Sequence, residues 1–390
     1  MQGSFKLATL AGIDIRLHYT WLLAFFLIAW SLALGYFPMS GQEQGPVTYW
    51  VLGVAAALLL FASVLVHELG HSLVAGSRGL RVDNITLFIF GGVSNITREA
   101  TTAKDEFLIA VVGPLTSLVL AGLFWSIGLL LPPASAASAL AGYLAYTNLL
   151  LGVFNIVPGF PLDGGRVLRS IVWGATGDMS RATQIASYVG QAVAFVLIGW
   201  GVLRVLSGDV FGGLWTAFIG WFLNNGAEAS RQEATVESAL ARVPVSSVMD
   251  GSPEHVSPEL TVSDFVLEHA LRRGQRAMPV VDDGQLVGIM SITDAKHLDQ
   301  QAWATTRIGN VMTHTPLKTL GPDANLAAAL QLMVENEIHQ VPIVQDRMLV
   351  GMVTRADVMR YMQSGVGPPE RSSAQPQAIA ARPNAAPSHG

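Results

Sequence analysis

Four apolar runs in the first 231 residues are each long enough to cross a lipid bilayer, which takes about 20 residues. No other feature constrains the fold as much, because a chain in hydrocarbon must close its own backbone hydrogen bonds. The runs are 17–37, 49–76, 107–131 and 136–158. A fifth, 183–203, is interrupted by Gly190, Gly199 and Gly201, which membrane helices tolerate. A sixth, 210–224, is short and reads either as a span or as an interfacial segment. About six transmembrane helices are expected, in a domain covering 1–227. The charge deficit fits: 13% of the chain is charged, against about a quarter in average soluble domains.

Lysine and arginine predict the orientation. The first 231 residues hold eleven: Lys6, Arg16, Arg78, Arg81, Arg98, Lys104, Arg166, Arg169, Arg181, Arg204 and Arg231. With six spans, all but Arg204 fall on one side, which the positive-inside rule marks as cytoplasmic. Both termini and the region after Arg231 are then expected in the cytoplasm. The N-terminus shows no cleavable signal-peptide pattern, so the first run reads as a retained anchor. Between the second and third runs, residues 81–99 ("RVDNITLFIFGGVSNITRE") are too short to span and rich in Ile, Val, Phe and Thr. They read as a strand or hairpin, bent at Gly91–Gly92, at the interface or along a cavity.

The second run ends in "HELGH", where lipid should tolerate no ionisable group without a purpose. His67 and His71, four apart, share one helix face. Two imidazoles so placed suit one zinc ion, with Glu68 beside them to take a proton from water. The chain has no cysteine, which excludes disulfides and thiolate zinc sites, so a third ligand must be His, Asp or Glu. His18, the other histidine in this half, reads as interfacial. Asp163, in "NIVPGFPLDGGRVLRS", directly follows the fourth run. That run points the same way as the second and delivers Asp163 to the depth of His67.

"HELGH" in an early span, "NIVPGFPLDGG" after a later one and a Gly-Gly strand between them resemble the site-2 protease family of intramembrane zinc metalloproteases, over residues 10–225. The resemblance implies one zinc held by His67, His71 and Asp163, with Glu68 as general base. It implies that Asn155 contacts the substrate or its oxyanion, and more weakly that Asn148 contacts substrate. It also implies an extended substrate held by edge pairing along 88–96, which brings in Gly91 and Gly92. The expected substrates are transmembrane segments of membrane-bound regulators such as anti-sigma factors, in a prokaryotic plasma membrane.

The remaining chain reads as soluble. Residues 228–243 form a helical linker, and 364–390, rich in Pro, Ala and Ser, read as a disordered tail. Between them lies a repeat. "MPVVDDGQLVGIMSITD" (278–294) and "VPIVQDRMLVGMVTRAD" (341–357) agree at seven of 17 positions, offset by 63. This region, 244–363, resembles a tandem CBS-domain pair, an α+β module with copies at about 244–304 and 307–363. The resemblance implies adenine-nucleotide binding (AMP, ADP or ATP), with Ser291 and Thr354 toward phosphate and Asp294 and Asp357 toward ribose. It also implies a homodimer and a regulatory role. The net charge of −5 gives no nucleic-acid signal. The competing reading is a catalytically silent membrane scaffold that senses nucleotide. A transporter is disfavoured, because residues 1–231 show no internal repeat.

Overall fold

The computed structural model describes residues 3–39, 45–89, 91–96 and 99–364. The expected tail, from residue 365 onward, lies outside the described residues. The chain divides into two compact units, Met1–Thr235 and Val236–Gly390.

The first unit opens with an unexpected hairpin, β1 (Ser4–Leu10) and β2 (Ile13–His18), antiparallel to each other. β2 then pairs in parallel with β3 (Val82–Phe88), which pairs antiparallel with β4 (Gly91–Ile96). The sheet order is β1-β2-β3-β4, leaving β4 on an edge. The stretch 88–96 is therefore not one strand: Phe88 ends β3 and Gly91 begins β4. The first apolar helix also starts later than expected. Leu17 and His18 belong to β2, and His18 caps α1 (Tyr19–Ser31) by accepting from the Thr20 amide. A π-helical turn, Leu32–Tyr36, and the short α2 (Phe37–Met39) continue this helix.

The long helices follow the chain's own punctuation. Pro46 opens α3 (Pro46–Ser77) at a position where its missing N–H costs nothing. Thr102 caps α4 (Ala103–Leu130), Ser135 caps α5 (Ala136–Ile156) and Asp178 caps α7 (Met179–Leu206). Between α5 and α7 lies α6 (Asp163–Thr176), stopped by Gly177 in the left-handed conformation. Among the described residues, five helices are long and apolar enough to cross a membrane by length and composition: Tyr19–Met39, α3, α4, α5 and α7. The sixth candidate is not a separate element. Residues 210–224 form the first half of α8 (Val210–Ala241), which continues unbroken through the expected linker. Its Trp and Gly residues and the Asn224–Asn225 pair dilute the apolar character of the run.

Packing in this unit reverses that of a water-soluble protein. Val119, Trp125, Leu129 and Val196 are among the most exposed side chains, while Ala56, Ala57, Ala110, Ala186 and Ala194 are wholly buried. Small residues let helix backbones approach where lipid removes the usual hydrophobic drive. Across this interior, the Arg169 guanidinium of α6 grips the buried Glu106 carboxylate in the first turn of α4, its Nε donating at 2.7 Å. Removing one partner of such a buried pair costs about 3–5 kcal/mol.

In the second unit the repeat becomes two hairpins, β5 (Ala277–Asp282) with β6 (Gln285–Ser291), and β8 (Gln340–Gln345) with β9 (Met348–Thr354). Each is bulged at the equivalent step, Val280/Val281 and Ile343/Val344. They join through Gln285 and Met348, and the short β7 (Thr313–His314) adds to β6. Four short helices complete the unit: α9 (Val262–Asp264), extended by a π-helical turn, α10 (Ile292–Lys296), α11 (Leu326–Glu335) and α12 (Arg355–Ser364). Two cores form, and the copies exchange their leading segments. Val245, Val248 and Met249 pack with Leu326, Ile343 and Val353, while Ile308 and Met312 pack with Val262, Val280 and Met290.

Candidate metal centre

α3 places His67 and His71 one turn apart on a single face, 4% and 5% exposed. Asp163, the first residue of α6, reaches them from a separate helix. Its Oδ2 lies 3.1 Å from His67 Nε2 and 3.3 Å from His71 Nε2, and the two Nε2 atoms are 3.2 Å apart. Among the described residues, this is the cluster whose donors could hold a metal ion. Tetrahedral ligands about 2.0–2.1 Å from a zinc stand about 3.3 Å from one another, so the triangle has the right edge.

The far side of each ring is fixed. His71 Nδ1 lies 2.6 Å from the Ile109 carbonyl oxygen, which can only accept. Nδ1 therefore carries the proton, and in the neutral ring the Nε2 lone pair faces the centre. His67 Nδ1 lies 2.9 Å from Ser117 Oγ, which can accept in the same way. Both anchors come from α4. Ser117→Ala is expected to weaken zinc affinity about 10–100-fold, read by competition against a chelator. Unchanged affinity would show that the hydroxyl does not orient His67.

Space for an ion comes from Gly113 of α4. A Cβ there would fall 2.5 Å from His71 Cε1 and 2.7 Å from His67 Nε2, with His71 Nε2 closer still. The donor set and this clearance together fit zinc. Asp163 is set by the loop before it: the Leu162 amide donates to Gly159 O, Gly165 to Leu162 O, and Phe160 to Ala186 O on α7. Gly164 and Gly165 pack directly on the backbone of Ile156–Val157 and Gly159–Phe160.

Glu68, next to His67, is half-buried and is not one of the three ligands. Its Oε2 accepts from Ser94 Oγ of β4 at 2.8 Å. Gly92 of β4 lies against the stem of Glu68, where a Cβ would meet Glu68 Cγ at 2.5 Å. Gly91 opens β4 at a positive φ of 130°. Asn155 is half-buried near the end of α5, its amide donating to Leu151 O at 3.0 Å within the same helix. Asn148 is fully buried. Its Nδ2 donates to Ser63 Oγ of α3 at 3.1 Å and to Leu144 O at 2.8 Å.

In the second unit, Ser291 and Asp294 form a capping box at the start of α10. Asp294 Oδ2 accepts from the Ser291 amide at 2.8 Å and from its hydroxyl at 2.7 Å. Thr354 and Asp357 repeat the arrangement at α12, at 2.9 and 2.6 Å.

Sequence reasoning missed Ser117, Gly113, Ser94 and the Ile109 carbonyl. One signal was present for this stretch of α4: Gly113–Pro114 falls inside the third run, and a proline there leaves the carbonyl four residues back, that of Ala110, without its helical partner.

A two-histidine, one-carboxylate centre with a free glutamate beside it, inside an apolar helical unit, is the arrangement of a zinc metallopeptidase of the membrane. The peptidase family M50 model matches residues 55–142 and 132–197, and the CBS domain model matches 245–299 and 308–364. Rip3 of Mycobacterium tuberculosis, which bears a zinc-metalloprotease name, is 35% identical over 369 residues, covering 93% of each chain. The similarly named sll0528 of Synechocystis is 33% identical over 370 residues, covering 93% of this chain and 97% of its own. The solved site-2 protease of Methanocaldococcus jannaschii is 28% identical over 58% of this chain and 95% of its own, with a TM-score of 0.41. The chain belongs to peptidase family M50, the site-2 proteases, and carries a tandem CBS pair.

Proposed function

We propose that the protein is a zinc-dependent intramembrane endopeptidase that cleaves transmembrane segments of membrane-bound regulators. The observation that carries this reading is the convergence of His67, His71 and Asp163 from two helices, with Glu68 left free beside them. Zinc, when bound, supplies a Lewis acid at this triangle. Glu68 takes a proton from the attacking water and returns it to the leaving amine. Asn155 is the proposed donor to the oxyanion, through the amide that otherwise donates to Leu151 O. A substrate helix must first unwind, because its carbonyls are already hydrogen-bonded. β4, at an edge of the sheet among the described residues, takes the extended strand; Gly91 opens that strand and Gly92 lets it lie close against the stem of Glu68. Asn148, fully buried, supports the site through Ser63, one turn before His67, and would act on the substrate only through that contact.

The one-sided distribution of lysine and arginine supports both termini and the CBS pair being cytoplasmic, with the first half of α8 counted as a crossing. The test is a panel of helical membrane substrates offered to the purified protein in detergent. Zinc-dependent products of defined mass are expected, lost on chelation and restored by zinc. A protein that holds no zinc and yields no product would instead be the silent scaffold.

The CBS pair is the proposed regulatory part, a homodimer binding adenine nucleotide. Ser291 and Thr354 sit at helix starts that suit an anion. Asp294 keeps a second carboxylate oxygen beyond the capping box for a ribose hydroxyl, while the corresponding oxygen of Asp357 lies 3.3 Å from the Arg360 guanidinium and would have to be shared with it. Hydrogen bonds to charged groups contribute about 1.5–3 kcal/mol. Asp294→Ala with Asp357→Ala is therefore expected to weaken AMP, ADP or ATP binding at least about tenfold, measured by calorimetry. Equal affinity in the variant would remove these contacts from the proposal.

A further inference from the structure

Ser94 lies on β4, an edge strand of the sheet, and takes no part in the chemistry described so far. Its Oγ is 2.8 Å from Glu68 Oε2, 3.1 Å from Ser72 Oγ and 3.4 Å from the Glu68 carbonyl oxygen. A serine hydroxyl has one proton to give. The carboxylate is the strongest acceptor in reach, so Ser94 donates to Glu68 and accepts from Ser72. Ser72 follows Glu68 by one turn of α3, on the same face, and is 1% exposed. Alternation along the strand turns Gly92 and Ser94 to the same side. Gly92 leaves room for the stem of Glu68, while Ser94 holds its tip.

We propose that Ser94 is a positioning residue for peptide hydrolysis, acting through Glu68. The chain Ser72–Ser94–Glu68 occupies Oε2 and leaves Oε1 to face the water. It also ties that orientation to the strand on which an extended substrate pairs. A glutamate has three side-chain torsions, and a base that samples several rotamers spends less time in reach of the water. Fixing one oxygen from the sheet removes that freedom. The proposal rests on the metallopeptidase reading given above.

The test uses the full-length, zinc-loaded protein in detergent. Ser94→Ala is expected to lower kcat about 10–100-fold, the range for partners that orient catalytic groups, with zinc content and KM unchanged. Ser94→Thr, which keeps the hydroxyl on a residue suited to strands, is expected to recover most of that loss. Ser72→Ala, which leaves β4 intact, is expected to lower kcat in the same direction by a smaller factor. In a Glu68→Gln background, Ser94→Ala is expected to remove nothing further from the residual rate, because both changes disable one unit. Wild-type kcat in Ser94→Ala overturns the proposal. So does a loss confined to KM, a loss of zinc, or an additive loss in the Glu68→Gln background. Absence of zinc-dependent cleavage by the wild type overturns the metallopeptidase reading itself, and is distinct from normal cleavage by Ser94→Ala.

Discussion

Glu68→Gln is expected to lower kcat by about 10²–10⁴-fold, the usual contribution of a general base, while the zinc content of the protein stays at one per chain. The substitution keeps the shape of the side chain and can still accept from Ser94 Oγ, now through an amide oxygen. What it loses is the capacity to take a proton. Because Glu68 is not one of the three ligands, the ion should remain. His67→Ala is the contrast, losing ion and activity together. Measuring kcat at saturating substrate beside metal content separates the two. A Glu68→Gln protein that cleaves at the wild-type rate would assign the base to another group.

Gly113→Ala should be nearly as damaging, against the usual effect of this exchange. In a helix interior alanine is about 1 kcal/mol more favourable than glycine, so α4 alone would gain. The added carbon, however, would fall 2.5 Å from His71 Cε1 and 2.7 Å from His67 Nε2. Neither ring can retreat, since Ile109 O and Ser117 Oγ hold them from behind. Removing only an outer-shell partner of a ligand already costs about 10–100-fold in affinity, so displacing both proposed histidine ligands predicts loss of zinc during purification and loss of cleavage with it. A helical protein of normal stability that retains no zinc is the expected result. Stoichiometric zinc in Gly113→Ala would show that the rings have more freedom than their hydrogen bonds imply.

The three side chains that converge at the candidate metal centre were readable because their signals are local or absolute. His67 and His71 share a face by spacing alone, and Asp163 stands out because acidic groups are scarce in an apolar half. Ser117 and Gly113 carry no such mark. A serine or glycine in a membrane helix is ordinary, and only the packing of α4 against α3 gives these two a role. The β1–β2 hairpin was missed for a related reason. β2 gains its stability from parallel pairing with β3, some 70 positions away along the chain, and nothing local announces that partner. Gly91 and Gly92 marked the neighbourhood of the turn, but they lie inside β4, paired with Phe88 and Leu87, and not at the bend; the contact of Ser94 with Glu68 had no mark at all. In the second unit the 63-residue offset pointed to two copies of one module, but not to which copy each leading segment would join.

That exchange has a consequence for how the CBS pair can be taken apart. Residues 245–249 complete the interior built by 320–361, and residues 308–312 complete the interior built by 256–303. A proteolytic nick in the connector between the copies would leave each fragment holding a piece of the other's centre. The cut halves would stay interlocked, and neither would survive alone. The smallest portion that can be grafted onto another protein is thus the whole doublet with the end of α8, whose Leu240 lines the same interior.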